Sequence, residues 1–249
     1  MRLAVTGTDT GVGKTIVAAA ILTMLRRDGL RVAGMKPVET GLVRGDAASD
    51  AELLRTAAGG DDQLEDVCPI VLSDATLPSI AARPALADND IQLLDAAFSH
   101  LSAGRDTVLV EDAGGLLTPV TSSISFDCLA RRWSLDLLIV AANRPGVMNH
   151  LLLIMRVARD ADIRVRGVIL NEAWADRHSL ADSVTDESLA SVIPGVPIYR
   201  FPFVARPLDH DVLATAASNA GLDALRAPVL TLPLPSAASS DGVGEAARA

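Results

Sequence analysis

The chain has 249 residues, which is enough for one large domain or two small ones and for a substantial hydrophobic core. Apolar residues make up 49% and charged residues 21% of the sequence, and this composition excludes a disordered or fibrous chain. The net charge of −9 and the isoelectric point near 4.9 argue against nucleic-acid partners, because a nucleic-acid binder needs a basic face.

Apolar runs rich in Val, Ile and Leu alternate along the chain with amphipathic stretches, a pattern typical of a parallel sheet with helices on both faces. The apolar runs predict six strands, at residues 2–6, 32–35, 107–110, 135–141, 165–170 and 196–201. The amphipathic stretches predict seven helices, at residues 14–28, 49–58, 91–101, 126–132, 149–159, 185–192 and 211–220. We therefore predict a single α/β domain over residues 1–226, with a mostly parallel sheet. Residues 227–249 lose this periodicity and are rich in Ala, Ser, Pro and Gly, which predicts a flexible C-terminal tail.

The two cysteines and the N-terminal residues indicate the cellular compartment. Cys68 and Cys128 have no CxxC motif and no nearby histidine pair, which argues against a disulfide framework or a zinc site. The first residues lack a basic segment followed by an apolar stretch, and no run reaches the ~20 apolar residues of a membrane span. We expect a cytoplasmic protein with neither membrane nor nucleic-acid partners.

Lysine is rare in this chain. Of the 22 Lys and Arg residues, only Lys14 and Lys36 are lysines. Arginine is a planar fork, whereas lysine is a compact point charge on a slim stem, so a site that needs one ammonium between crowded anionic oxygens cannot accept arginine. Their scarcity marks both lysines as candidate functional residues.

A glycine-rich loop, GTDTGVGKT from Gly7 to Thr15, follows the first predicted strand and opens directly into a helix. This is the strand, loop and helix context of a phosphate-binding P-loop. Backbone N–H groups and the helix N-terminus can cradle phosphates, Lys14 can reach the outer phosphates, and the Thr15 hydroxyl can ligate Mg²⁺. The loop departs from the pattern GxxxxGK[ST] at Thr8, where the first glycine is expected. The sequence nevertheless predicts a nucleotide site rather than a ligand-free turn.

Two further strand ends carry candidate residues. Lys36 follows the second strand in the motif KPVETG, and we expect it beside the phosphate loop because ligands bind outside the carboxyl ends of parallel strands. Glu111 follows the third strand in EDAGGLLTP, where a carboxylate is typical of the Mg²⁺ site of nucleotide hydrolases and kinases. The glycines after it, including Gly114, allow the backbone to approach a substrate closely. Asp50 begins a helix and is either a second metal carboxylate or an acid favoured by the helix dipole.

Two asparagines each have two interpretations. Asn149 opens a predicted helix, where free N–H groups can take an anion or the residue can be an ordinary N-cap. Asn171 ends the fifth strand, where its amide can read a purine edge or stabilise a turn.

Taken together, these motifs resemble those of the dethiobiotin synthetases in order and spacing. The resemblance rests on GTDTGVGKT, KPVETG, the SDA around Asp50, EDAGGLLTP, GVMNH and LNE, and it covers residues 2–203. Generic P-loop ATPases do not combine the lysine strand end with an ExAGG loop. The resemblance implies a homodimeric P-loop enzyme of biotin biosynthesis that converts 7,8-diaminononanoate, CO₂ and MgATP to dethiobiotin, ADP and phosphate. It also implies a carbamate, a carbamic-phosphoric anhydride and final closure of a cyclic urea.

The resemblance further implies roles for the residues at matching positions. The catalytic residues it implies are Thr10, Lys14 and Lys36, and the implied metal ligands are Thr15, Asp50 and Glu111. Among the implied substrate-binding residues are Thr40 and Gly114. The substrate carboxylate would bind to a helix start of the neighbouring subunit, formed by Gly146, Val147, Met148 and Asn149. The implied nucleotide-binding residues are Gly11, Val12, Gly13, Lys14, Thr15, Asn171, Pro202, Phe203 and Val204.

The chain departs from the family pattern in three places. Asp112 stands where members often have glycine, and it adds negative charge near the predicted metal site. Gly11 stands where some members carry an acid. Residues 174–182 match no substrate-contacting pattern.

The main alternative is a P-loop switch ATPase of the partitioning or septum-placement type. Those proteins carry a signature lysine early in the loop, at the position where this chain has Asp9. The acidic charge and the lack of a basic or amphipathic tail also disfavour tethering to DNA or membranes. An amidotransferase-type synthetase acting on a cobalamin precursor is a third possibility, but the remaining length has no room for a glutaminase domain.

Overall fold

The computed structural model describes residues 1–43, 49–82, 86–173, 185–205 and 208–226. The strands of these residues are β1 (Arg2–Gly7), β2 (Val32–Met35), β3 (Val38–Thr40), β4 (Ile70–Leu72), β5 (Thr107–Glu111), β6 (Asp136–Ala142), β7 (Val165–Asn171) and β8 (Ile198–Phe201). The helices are α1 (Lys14–Arg27), α2 (Asp50–Ala58), α3 (Leu64–Val67), α4 (Pro78–Ala81), α5 (Asp88–Ser102), α6 (Phe126–Arg132), α7 (Val147–Asp160), α8 (Asp186–Val192) and α9 (His210–Asn219). A 3₁₀ helix (Leu222–Arg226) follows α9.

Six strands form one parallel sheet in the order β2-β5-β1-β6-β7-β8. One face of the sheet packs against a core that includes α5, α6 and α7, and the other face packs against a core built by α1 and α9. Both faces are therefore covered, which explains why the strands are apolar at almost every position. β3 and β4 form a separate two-stranded parallel sheet.

The register of the main sheet determines which residues meet at its carboxyl edge. Met35 of β2 pairs with Val110 of β5, and Val5 of β1 pairs with Glu111 at the end of β5. Lys36, Glu111 and the loop that follows β1 therefore emerge side by side.

The predicted α/β fold with a parallel sheet and helices on both faces is confirmed. All six predicted strands are present with ends shifted by at most two residues, whereas β3, β4, α3, α4 and the 3₁₀ helix were not predicted. Each of these elements has only three to five residues, a length at which hydrophobic periodicity is a weak signal. No helix in the described part of the chain has the length and apolarity to cross a membrane.

Two predicted helix starts are wrong by more than one residue. α5 begins at Asp88, three residues before the predicted start at residue 91. α7 begins at Val147 with Gly146 as its N-cap, so Asn149 lies in the first turn and is not the N-cap. The left-handed backbone of Gly146, with φ of +89°, allows the chain to enter the helix two residues early. Residues 174–182 and the predicted tail at 227–249 lie outside the described residues, and the domain boundary at residue 226 stays a prediction.

Candidate active site

A cavity of about 720 Å³ lies at the carboxyl ends of β1, β2 and β5. Small-ligand sites usually measure roughly 300–1,000 Å³. The predicted site residues that line it are Thr10, Gly11, Gly13, Lys14, Thr15, Lys36, Thr40, Asp50, Glu111 and Gly114. The fold thus brings together the phosphate loop, residues 36–42, Asp50 and the segment after β5.

The phosphate loop, residues 8–13, has the backbone geometry of an anion cradle. Gly11 and Gly13 have φ of +75° and +93°, a left-handed conformation that favours glycine. A Cβ atom at Gly13 would lie 2.1 Å from Nδ2 of Asn171, so no larger residue fits there. The N-cap residue of α1 is Gly13, which has no side chain to cap the helix, so the N–H groups of the first turn are available to an anion.

Lys14, the first residue of α1, lies between the cavity and a buried acid. Its Nζ donates hydrogen bonds to the carbonyl oxygens of Gly114 at 2.8 Å and Asp9 at 3.3 Å. Oδ1 of Asp112 lies 3.6 Å from the same Nζ. Asp112 is fully buried, and its Oδ2 accepts a hydrogen bond from the Thr6 hydroxyl. Burial raises the pKa of Asp112 to about 6, although Lys14 and the hydrogen bond from Thr6 act in the opposite direction.

Lys36 follows β2 and is only 5% exposed. Its Nζ donates to Oδ2 of Asp50 and to Oε1 of Glu111, each at 2.7 Å. Burial alone would lower the pKa of this ammonium, but Glu111 and Asp50 outweigh burial and raise the pKa above its usual range. Lys36 is therefore a fixed positive charge between two acids.

Glu111 connects Lys36 with the first turn of α1. Its Oε1 also accepts a hydrogen bond from the Thr15 hydroxyl at 2.8 Å, whereas its buried Oε2 has no hydrogen-bond partner among the described residues. An unpaired buried carboxylate oxygen is unfavourable, and it points to a missing cation or donor.

The donors around this oxygen suit magnesium. No group of three acidic, His or Cys side chains in the described ranges is arranged to hold a metal ion alone. Mg²⁺ usually binds through one or two carboxylates and completes its shell with substrate phosphates and water. The oxygens of Thr15, Asp50 and Glu111 at the edge of the phosphate loop fit that requirement.

A second group of predicted residues lies beside the phosphate loop, outside the cavity lining. Asn171 ends β7, and its Nδ2 donates to the carbonyl oxygen of Val12 at 2.7 Å. β8 pairs with β7 so that Phe201 lies opposite Asn171, and Pro202, Phe203 and Val204 follow directly. Phe203 is 44% exposed. The structure therefore brings the predicted adenine-binding residues together at one end of β7 and β8.

The predicted carboxylate-binding residues lie at the start of α7. Gly146 and Asn149 are exposed, Met148 is half-buried and Val147 is buried. None of the four is among the described residues that line the cavity of the same chain. Arg144, two residues before Gly146, brings this segment next to the phosphate loop through a 2.6 Å ion pair with Asp9.

Comparisons with known proteins identify the family of the chain. The model of an AAA domain family matches residues 1–199. The "ATP-dependent dethiobiotin synthetase BioD" of Anaeromyxobacter dehalogenans (strain 2CP-C) is 40% identical over 169 residues, which are 68% of this chain and 75% of the relative. The protein of the same name from Thermodesulfovibrio yellowstonii is 31% identical over 231 residues, which are 89% of this chain and 96% of that protein. The chain belongs to the ATP-dependent dethiobiotin synthetase family. The predicted family and the predicted class of enzyme, an ATP-dependent ligase, are thereby confirmed.

A solved structure also resembles the fold of this dethiobiotin synthetase family member. A chain of the MinC:MinD cell division protein complex of Aquifex aeolicus superposes with a TM-score of 0.53 and covers 94% of this chain and 99% of its own length. Its sequence identity is 16%, so the likeness extends to the fold alone.

Sequence reasoning missed one acid at the cavity of this dethiobiotin synthetase family member. Glu39 is 4% exposed, and its Oε1 accepts the backbone N–H of Asp50 at 2.6 Å. Burial raises the pKa of Glu39. Together with the hydroxyl cap of Ser49 on the N–H of Glu52, this bond fixes the start of α2 beside Lys36. The sequence feature that points to Glu39 is its position three residues after Lys36, in the motif KPVETG.

Proposed function

We propose that this chain catalyses the ATP-dependent carboxylation and ring closure of 7,8-diaminononanoate with CO₂ to give dethiobiotin. The observation that carries the proposal is that Lys14 and Lys36, the only two lysines of the chain, line one cavity at the phosphate loop. The reaction gathers the anionic oxygens of a carbamate and of the ATP γ-phosphate in one place. Two compact ammonium groups suit such crowding better than guanidinium groups.

In the proposed reaction one amine of the diamine adds to CO₂, loses a proton and becomes a carbamate. A carbamate oxygen attacks the γ-phosphorus, and ADP leaves with the electrons of the broken P–O bond. The second amine then attacks the carbonyl carbon, phosphate leaves, and loss of a proton completes the cyclic urea. Each step depends on positioning and on neutralising charge more than on covalent help from the protein.

Different residues of the cavity would bind the phosphates, stabilise the negative charge and orient the diamine. The N–H groups at the start of α1 and the Lys14 ammonium would hold the outer phosphates. Lys36 would stabilise negative charge between the carbamate and the transferring phosphoryl group. Thr10, Thr40 and the backbone of Gly114 line the same cavity and would orient the diamine.

Thr15, Asp50 and Glu111 are the residues that would hold Mg²⁺. The bound ion would neutralise phosphate charge and polarise the bond that breaks. The support in this chain is the unpaired Oε2 of Glu111 and a donor set made only of hard oxygens.

The remaining site residues would bind the rest of the nucleotide and the far end of the diamine. Asn171 with residues 202–204 would bind the adenine ring, since its side chain lies against the phosphate loop. Residues 146–149 would receive the substrate carboxylate in the cavity of the neighbouring subunit of a homodimer. Gly146, the N-cap of α7, has no side chain to cap the helix, and this feature and the exposure of Gly146 and Asn149 support this role. We also propose a cytoplasmic location, which suits the exposed thiol of Cys128.

The test is whether ADP release depends on both co-substrates. With MgATP, the diamine and bicarbonate, the purified protein is expected to release ADP and to form the cyclic urea, detected by mass spectrometry. Omission of either the diamine or bicarbonate is expected to stop ADP release. Lys36→Met is expected to lose the ADP release that bicarbonate and the diamine stimulate. Arg27→Met, which removes a half-exposed cation at the end of α1, is expected to keep it.

The alternative switch ATPase predicts the opposite result. It would hydrolyse ATP at a rate that neither bicarbonate nor the diamine changes. The structure adds an argument against this alternative, because the carboxylate of Asp9, at the position of the signature lysine, binds Arg144 and the N–H of Thr10. These two interactions, the N–H of Thr10 more than Arg144, hold the pKa of Asp9 below its usual value.

A further inference from the structure

We propose that Asp112 weakens the hold of the active site on nucleotide, because its buried carboxylate competes with bound phosphate for the Lys14 ammonium. The inference rests on the proposed nucleotide site at Lys14. It assigns a role to Asp112, which is neither a proposed metal ligand nor one of the residues that line the cavity.

The geometry leaves Lys14 as the only nearby cation that Asp112 contacts among the described residues. The side chain of Asp112 is 0% exposed. Its Oδ2 accepts a hydrogen bond from a neutral hydroxyl, that of Thr6. Its Oδ1 has no hydrogen-bond partner among the described residues and lies 3.6 Å from Nζ of Lys14. The other buried acid at the end of β5, Glu111, differs because it receives hydrogen bonds from Lys36 and Thr15.

The arrangement fixes the direction of the effect. Lys14 lines the cavity, whereas Asp112 does not, so the ammonium lies between the cavity and the carboxylate. A phosphate oxygen bound to Nζ at about 2.8 Å would lie within roughly 6–7 Å of Oδ1. At that separation, in a site shielded from water, two negative charges repel each other appreciably. Asp112 therefore opposes phosphate binding and favours release of ADP.

The two acids proposed as metal ligands do not have this effect to the same degree. Asp50 and Glu111 each form a 2.7 Å hydrogen bond with Lys36, and both belong to the proposed metal site, where a cation would offset their charge. Among the described residues, the cation in direct contact with Asp112 is Lys14, which the nucleotide also needs.

The experiment measures ADP binding by isothermal titration calorimetry at pH 8, first in EDTA and then with Mg²⁺. Asp112→Asn retains the volume and an oxygen acceptor for Thr6 but removes the charge. We expect the ADP dissociation constant to fall by about tenfold or more in both conditions. Stopped-flow release of a fluorescent ADP analogue is expected to slow in proportion.

A second variant and a charge control accompany this measurement. Asp112→Gly removes the charge without leaving a buried amide, and it decides the question if Asp112→Asn does not fold. Asp136→Asn removes one negative charge at the amino-terminal end of β6. Asp136 lies four residues, or about 13 Å along the strand, before Val140, which pairs with Gly7 at the start of the glycine-rich loop. This control is expected to bind ADP as the wild type does.

The outcomes separate the inference from the function on which it rests. Unchanged ADP binding in a folded Asp112 variant would overturn the inference, because the charge would then have no effect on bound phosphate. Weaker binding would overturn it too, because that is the result expected if Asp112 only supports the structure of the site. Tighter binding of equal size in Asp136→Asn would overturn it as well, because the effect would be one of net charge. If the wild type does not bind ADP, or if Lys14→Met binds it equally well, the proposed nucleotide site itself is wrong.

Discussion

At the scale of single residues, the surroundings of Lys36 restrict which side chain fits at that position. It lies within 2.7 Å of two carboxylates in a buried position where a guanidinium group is too wide. We expect Lys36→Arg to lower kcat by about 10²–10³-fold, because one preorganised cation is lost from the reacting centre. Overpacking of the buried site is expected to cost about 1–3 kcal/mol of stability. The measurement is kcat at saturating diamine on protein whose folding is checked by circular dichroism, and a wild-type kcat would refute the role.

The acids that hold Lys36 lead to a prediction about magnesium. We expect Glu111→Gln and Asp50→Asn each to raise the Mg²⁺ concentration for half-maximal turnover by about tenfold or more, since each removes ligand charge without changing volume. Glu39→Gln is the matched control, because Gln retains the acceptor for the N–H of Asp50 and Glu39 is not a proposed ligand. A normal Mg²⁺ requirement in Asp50→Asn would reduce Asp50 to an acid at a helix start.

Asp112 also predicts how the stability of the ligand-free protein depends on pH. Its folded pKa of about 6 lies above the value of 3.8 for an unperturbed aspartate, so ionisation favours the unfolded state. The stability linked to the protonated form is present below pH 4 and is lost as the pH rises through 6. In EDTA, the free energy of unfolding of Asp112→Asn minus that of the wild type is expected to rise from pH 4 to pH 7 by at most about 3 kcal/mol. Urea titrations that give a constant difference across this range would contradict the shift.

Single-residue signals in the sequence differ in how far they can be interpreted. The two lysines could be found because their type is rare and both follow strands. Glu39 and Asp112 could not be assigned from the motifs, because acidic side chains are normally exposed and the local sequence does not indicate that these two are buried. Their burial depends on α2 and on the packing of β5 against β1, which are tertiary features.

At the scale of elements, strand β2 illustrates how close packing maintains the site. A Cβ atom at Gly34 would lie 2.8 Å from Cδ1 of Leu22 on α1 and 3.0 Å from Cβ of Leu54 on α2. The absence of a side chain therefore allows α2 to pack directly on β2, and it keeps Asp50 next to Lys36.

This contact predicts whether a substitution at Gly34 raises or lowers the stability of the protein. Alanine normally stabilises a strand relative to glycine, but we expect Gly34→Ala to destabilise the protein by about 1–3 kcal/mol because it overpacks the contact. A displaced α2 is also expected to raise the Mg²⁺ requirement. Urea unfolding measures the first effect, and a stability equal to or above that of the wild type would contradict the argument.

Long elements were easier to predict than short ones. The seven-residue strands β6 and β7 and the fourteen-residue helices α1 and α7 have a clear hydrophobic pattern, apart from the start of α7. The three-residue strands β3 and β4 have none, and they form because they pair with each other in the segment that carries Thr40 into the cavity.

At the scale of the whole molecule, the order of the strands was not predictable from the chain. Local patterns indicate a parallel sheet, but the position of β5 between β2 and β1 depends on long connections and on which helices cover each face. That order brings Lys36, Glu111 and the phosphate loop together, so the site was predicted from motifs and not from geometry.

The proposed homodimer gives a prediction that only two chains together can satisfy. If residues 146–149 serve the neighbouring subunit, Lys36→Met and Asn149→Asp each inactivate the enzyme, by loss of a cation in the cavity and by a charge that repels the substrate carboxylate. A mixed dimer would then hold one site with both defects and one with neither. Because half of randomly mixed dimers are of this kind, the co-folded mixture is expected to regain about a quarter of wild-type activity. Native mass spectrometry would verify that mixed dimers form, and if they form without activity, the site lies within one subunit and the role of residues 146–149 is wrong.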